Sequence, residues 1–169
     1  MERGDFDEFV VQRSQRLLRT AYLLTRDWAA AEDLLQAALV KLWFAWKRVD
    51  RDPEAYARRI IVTSYISLRR RLWTREIVRG ELPERAVPDE MHRHAERDAL
   101  WQALRRLGPR QRAIIVLRYY EDLSDARIAE MLGVAVTTVR SQASRALAVL
   151  RKESELDNAR ERTLSGGRK

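Results

Sequence analysis

At 169 residues, with 46% apolar residues, a formal charge of +8 and a pI of about 10.4, the chain suffices for one ordinary domain or two small ones, and it is more basic than solubility requires. Its positive side chains are nearly all arginine, whose planar fork suits phosphates and guanine edges, so nucleic acid is the first partner to consider. The absence of cysteine excludes disulfides, thiolate nucleophiles and cysteine-based zinc fingers; neither a signal peptide at Met1-Glu2-Arg3-Gly4-Asp5 nor a run of roughly 18–20 apolar residues is present, so a cytoplasmic protein without membrane insertion is expected.

Phe6, Phe9, Val10, Leu17, Leu18, Ala21 and Leu24 recur at spacings of three, four and seven, predicting a first helix with Asp5 and Glu8 as a capping pair in front of it. A second helix, starting near Asp27, carries Trp28, Ala31, Leu34, Leu35, Ala38, Leu39, Leu42, Trp43 and Trp46. Asp52-Pro53-Glu54 reads as a cap, a first-turn proline and a favourable acid, opening a third helix through Tyr56, Ile60, Ile61, Ser64, Leu68 and Leu72. These three share a core, and the first domain is placed at 5–73. From 74 to 94 the periodicity fails and Gly80, Pro83 and Pro88 interrupt it, as in a flexible linker.

Helical pattern resumes through Ala95, Leu100, Ala103, Leu104 and Leu107 and stops at Gly108-Pro109. Pro109 opens another helix with Ile114, Ile115, Leu117 and Tyr120. Ser124 is the expected cap of a short helix ending at Leu132-Gly133, and a longer helix runs from about Val136 to Lys152. The second domain is placed at 95–153, and the polar tail 154–169 is expected to be disordered. With no credible strand, the fold class is all-α: two small helical domains joined by a flexible linker, the C-terminal one containing a helix-turn-helix.

Asp125 to Ser141 carries that motif. Ile128, Leu132, Val136 and Val139 suit one small core, Ala129 permits close helix crossing, and Gly133 supplies the positive φ of a tight turn. The following helix presents Arg140, Ser141, Gln142, Ser144 and Arg145, which are base-edge and phosphate chemistries. Arg140, Ser141 and Gln142 are the specificity candidates. Thr137 and Thr138 lie at the helix start, where amides and the dipole favour phosphate, and Arg145 suits either base or backbone. Gln111, Arg112 and Arg118 suit the flanking DNA backbone, although an ordinary exposed face explains them almost as well.

A helix-turn-helix alone leaves many regulators open. Two further stretches narrow the choice. Ala31-Glu32-Asp33-Leu34-Leu35-Gln36-Ala37-Ala38-Leu39-Val40-Lys41-Leu42-Trp43 resembles the polymerase-binding segment of RNA polymerase sigma factors. Leu107-Gly108-Pro109-Arg110-Gln111-Arg112, followed by Leu123-Ser124, Ile128-Ala129, Leu132-Gly133, Val139-Arg140-Ser141 and Arg145-Ala146, resembles the second conserved domain of the extracytoplasmic-function group of those factors. Asp52-Pro53-Glu54-Ala55-Tyr56 with Arg69-Arg70-Arg71-Leu72-Trp73 is similar to the actinobacterial SigE-like subgroup.

The resemblance implies that the first domain docks on core RNA polymerase, at the clamp helices of its largest subunit, through Asp33, Gln36, Leu39, Val40 and Trp43, and captures the unwound minus-ten element. It implies that the second domain reads the minus-thirty-five duplex beside the flap region. Arg58, Arg59, Arg69, Arg70 and Arg71 would supply charge, and Tyr56 and Tyr65 would stack on bases, at roughly 1–3 kcal/mol per base; Tyr56 equally suits a core position, while a solvated helix end is the lesser alternative for the arginine run. An anti-sigma factor is a further partner known in the family. Departures at Thr63, Ser67, Arg127, Ala135, Thr137 and Gln142 mean that the promoter sequence does not carry over.

The rival is a dimeric helix-turn-helix regulator with a sensing N-terminal half, which would bind its operator without polymerase. An enzyme fits less well. His92 and His94 lack companion metal ligands, adjacent Glu32 and Asp33 point in different helical directions, and no glycine-rich phosphate loop appears, so no catalytic residue, metal or cofactor is expected.

Overall fold

A computed structural model of the chain describes residues 3–49, 51–79 and 103–165. The first unit comprises α1 (Arg3–Thr25), α2 (Trp28–Ala45) and α3 (Pro53–Arg79). Local chemistry sets the breaks between them. Arg26 turns the chain at φ 58°, and Asp27 caps α2 by accepting from the Ala30 amide at 3.2 Å. Asp52 caps α3 by accepting from the Ala55 amide at 2.8 Å, with Pro53 where its missing N–H costs nothing. α1 starts earlier than its sequence indicates: Asp5 lies inside the first turn, where it favours the helix dipole, and does not cap from in front.

α1 packs along α2, and α3 packs against both. Leu17, Ala21 and Leu24 meet Leu34, Ala38, Leu42 and Trp46, and α3 closes the core with Ala57, Ile61, Val62 and Tyr65. Each fully buried leucine or isoleucine contributes about 1.5–3 kcal/mol relative to exposure. Phe6 meets Trp43 and Trp46 edge-on, with ring centroids 4.9 and 5.1 Å apart.

The second unit comprises a helical turn ending near Leu107, then α4 (Pro109–Ile115), a π-helical turn (Val116–Tyr120), α5 (Asp125–Leu132) and α6 (Val136–Ser165). The widened turn is visible in the Glu121 amide, which donates to Val116 O at 3.1 Å, and Asp122 then takes φ 55°. Among the described residues there is no strand.

Two boundaries differ from the sequence-based expectation. α3 runs on to Arg79, so 74–79 is helix and not linker. α6 continues to Ser165 where a disordered tail was expected at 154–169. In both cases the extension contains helix-tolerant residues and no glycine or proline until Gly80 and Gly166. The rest of the expected linker, with His92 and His94, lies outside the described residues, as do Ala95 and Leu100 at the expected start of the second domain.

The two units pack against one another. Ile114, Val116, Leu117, Ile128, Ala129 and Val139 continue the core of the first unit, while Leu104, Leu107, Ile115 and Ala146 form a smaller cluster of their own. At the seam Glu121 is buried. Thr20 Oγ1 donates to Glu121 Oε1, Arg16 Nη2 donates to Oε2 at 3.2 Å, and Arg58 Nε lies 3.0 Å from Oε2. The Arg58 Nε–H points off that oxygen, so this contact is an ion pair without an aligned hydrogen bond; Arg58 Nη2 does donate to Glu54 at 2.8 Å. Arg112 reaches across the seam, donating to Leu24 O at 2.9 Å and, within its own unit, to Leu104 O at 3.0 Å.

Candidate nucleic-acid interface

α5 and α6 form the helix-turn-helix. Ser124 caps α5 by accepting from the Arg127 amide at 3.3 Å. Gly133 ends it in the left-handed conformation, φ 64°, while the Val134 amide donates to Ala129 O at 3.0 Å. Ile128, Ala129, Val139 and Ala143 are buried and hold the two helices together. Ala135, just before α6, has no side-chain oxygen to serve as a cap, and its carbonyl accepts from the Thr138 and Val139 amides.

With Val139, Ala143 and Ala146 facing inward, Thr137, Arg140, Ser141 and Ser144 fall on the opposite side at i, i+3, i+4 and i+7, all exposed, and Arg145 is exposed beside them. Thr138 and Gln142 are half-buried at the edge of this face. Ser141 Oγ donates to Thr138 O at 3.1 Å, which leaves its lone pairs to accept. Arg140 Nε donates to Asp125 Oδ2 at 3.3 Å, and Arg118 Nη2 donates to the same oxygen at 3.1 Å. Gln111 is half-buried on α4.

Three expected DNA-facing residues do not face solvent. Arg112 is 6% exposed, Arg58 7% and Tyr65 1%. Their local patterns read as exposed, and packing of the two units encloses them. Burial pushes the Tyr65 hydroxyl above the ordinary tyrosine range, opposed by the positive charges of Arg112 and Arg69. Burial likewise lowers Arg112, with Tyr65 acting in the opposite direction.

The remaining first-unit candidates are placed differently. Arg59, Arg69, Arg70 and Arg71 are exposed along α3, while Tyr56 is half-buried against the core. A cleft of about 780 Å³ separates the start of α3 from α5, with Arg48, Arg51, Tyr56, Arg59, Arg127 and Glu130 among its lining residues. On α2, Asp33, Gln36, Val40 and Trp43 are exposed along one ridge, with Leu39 half-buried beside it. Phe44, 76% exposed and one turn beyond Val40, extends this ridge. Sequence reasoning passed it over, although its i+4 spacing from Val40 was the available signal. Asp125 and Glu121 were missed as well.

Among the described residues no helix is long and apolar enough to cross a membrane, and no cluster of His, Asp and Glu is grouped to hold a metal ion.

A three-helix unit with an exposed ridge bearing an acid and aromatics, followed by a helix-turn-helix unit, defines an all-helical two-part protein of the DNA-binding class. The Sigma-70 region 2 family matches residues 9–75, and the Sigma-70, region 4 family matches residues 97–150. The chain is 38% identical to the RNA polymerase sigma-E factor of Streptomyces avermitilis, over 89% of this chain and 86% of that protein. It is 34% identical to the ECF RNA polymerase sigma factor SigL of Mycobacterium tuberculosis, over 80% of each. In structure it is similar to the sigma factor RpoE of Bartonella quintana, solved in complex with the anti-sigma factor NepR: TM-score 0.73, 25% identity, 90% of this chain and 98% of that one.

The chain belongs to the extracytoplasmic-function RNA polymerase sigma factors. It binds core RNA polymerase and directs promoter-specific transcription initiation by recognition of the minus-ten and minus-thirty-five elements.

Proposed function

We propose the following division of labour. The ridge of Asp33, Gln36, Leu39, Val40 and Trp43 on α2 docks on the clamp helices of the largest polymerase subunit. Tyr56, Arg59 and the run Arg69, Arg70 and Arg71 take the opened minus-ten strand, by stacking and by charge. On α6, Arg140, Ser141 and Gln142 read bases of the minus-thirty-five duplex, while Thr137, Thr138, Ser144 and Arg145 hold its backbone, with Gln111 and Arg118 flanking and the polymerase flap alongside. The protein acts in the cytoplasm as a non-catalytic factor without metal or cofactor, and an anti-sigma factor is the partner that would mask these faces.

One observation supports this reading above the others: a docking ridge on α2 and a polar, arginine-bearing face on α6 lie exposed in one chain. Tethering two modest DNA contacts to one polymerase raises their effective concentration, so neither need be tight alone. Run-off transcription with purified core polymerase on a promoter library tests it. Selected start sites are expected from the wild-type chain, and none when Asp33 and Gln36 are both replaced by alanine. Normal co-purification of that folded double variant with core would remove the docking assignment. Tight sequence-specific binding by a dimer of the protein alone would favour a free-standing regulator.

A further inference from the structure

We infer that Asp125 is a positioning residue that sets the orientation in which Arg140 meets DNA; the inference rests on the base-reading role proposed for Arg140. Three elements converge on this carboxylate. Asp125 is the first residue of α5, where the helix dipole favours an anion. Its Oδ2 accepts from Arg118 Nη2, at the π-helical turn, at 3.1 Å and from Arg140 Nε, on α6, at 3.3 Å. The carboxylate is 14% exposed and the Arg140 side chain 69%, so a sheltered acceptor holds the base of an otherwise solvent-facing guanidinium. The other oxygen, Oδ1, is buried without a hydrogen-bond partner, which leaves Oδ2 as the oxygen offered to both arginines.

The atom engaged decides what this contact does. Arginine reads guanine by presenting two N–H groups together to O6 and N7. Asp125 takes Nε, so the guanidinium is braced from the side while the terminal amino groups remain as a reading pair. An unbraced arginine is long and rotamer-rich, and it would have to give up that freedom on each encounter. Arg118 offsets the carboxylate charge, which limits the repulsion a lone acid would exert on nearby phosphates. Asp125 touches no DNA in this arrangement; its effect passes through Arg140.

This role has a signature that a structural one lacks. Asp125→Asn removes a negative charge beside the DNA, so affinity for arbitrary duplex holds or rises while discrimination falls. A residue needed only for folding would lower both. The experiment uses holoenzyme assembled from core polymerase and the full chain, assayed on templates randomised across the minus-thirty-five element, with base preference read at every position. Arg140→Ala is expected to reduce preference at one position by roughly five- to a hundredfold. Asp125→Asn should reduce preference at that same position by up to about fivefold, the range of an exposed pair, with Asp125→Glu recovering part of it and no further loss in the Arg140→Ala background.

Unchanged preference in Asp125→Asn, a uniform loss at all positions, or an equal loss in the Arg140→Ala background would overturn the role of Asp125 and leave Arg140 as a reader. A uniform effect of Arg140→Ala itself would overturn the base-reading role, and the positioning role with it.

Discussion

Glu121 Oε2 lies 3.0 Å from Arg58 Nε, inside the seam where the helix-turn-helix unit meets the three-helix unit. Neither group has appreciable access to water, and Thr20 and Arg16 complete the cage around the carboxylate. Removing one partner of a buried pair strands the other charge, which costs roughly 3–5 kcal/mol. Arg58 keeps its bond to Glu54, so Glu121→Gln is expected near the lower end, about 3 kcal/mol. Urea unfolding would measure the loss, and small-angle scattering should show a larger radius of gyration as the units loosen. A wild-type urea midpoint would contradict the seam described here.

Tyr65 makes the same interface sensitive to alkali. Its hydroxyl is held above the usual value, mainly by burial, so the folded state keeps the proton longer than the unfolded chain does. The corresponding stability is fully present below the unfolded value of about 10 and is lost as pH rises from there through the raised folded value. Alkaline denaturation should begin in that window, and Tyr65→Phe should blunt its pH slope. Absorbance titration should show a tyrosine that ionises above the ordinary range and is lost in Tyr65→Phe; no such late step would contradict the burial argument.

On α2, exposure separates docking from stability. Val40→Ala and Phe44→Ala are each expected to change unfolding free energy by no more than about 0.5 kcal/mol, as exposed sites do, yet to lower affinity for core polymerase. Trp43→Ala should lower both, because its ring also packs on Phe6. Competition binding to core alongside thermal melts would distinguish the three. Wild-type polymerase affinity in the Val40 and Phe44 variants would remove the ridge from the interface.

The turn between α5 and α6 depends on one backbone conformation. Gly133 sits at φ 64°, and a Cβ there would meet no atom within 4 Å, so the cost of Gly133→Ala is conformational and not steric crowding by neighbours. It should be about 1–2 kcal/mol, with Gly133→Asn closer to wild type. Chemical denaturation of both variants checks this, and equal stability of the two would not fit.

Asp27, Asp52, Ser124 and Gly133 were legible in sequence because each acts within a few residues of itself. The apolar periodicities likewise located the helices and most of the core. Arg58, Tyr65 and Arg112 were misread because local spacing reports which side of a helix a residue occupies, while their burial comes from elements distant in the chain. Glu121 escaped notice for the same reason: an acid after Tyr119-Tyr120 looks like surface until the π-helical turn carries it into the seam. Residues 74–79 and 154–165 are helical because no glycine or proline interrupts them, although apolar periodicity fails in the first stretch and polar residues dominate the second.

The enclosure of Arg58 and Arg112 changes how this protein's basicity should be counted. A cation that neutralises a phosphate liberates a condensed counterion, and each such event steepens the dependence of affinity on salt by about 0.9 in a log–log plot. Guanidiniums bound to Glu121, Glu54 and backbone carbonyls liberate none while they stay there. The ions released at a promoter therefore number fewer than an arginine tally implies, and the surplus charge of the sequence overstates how strongly rising potassium would weaken the complex.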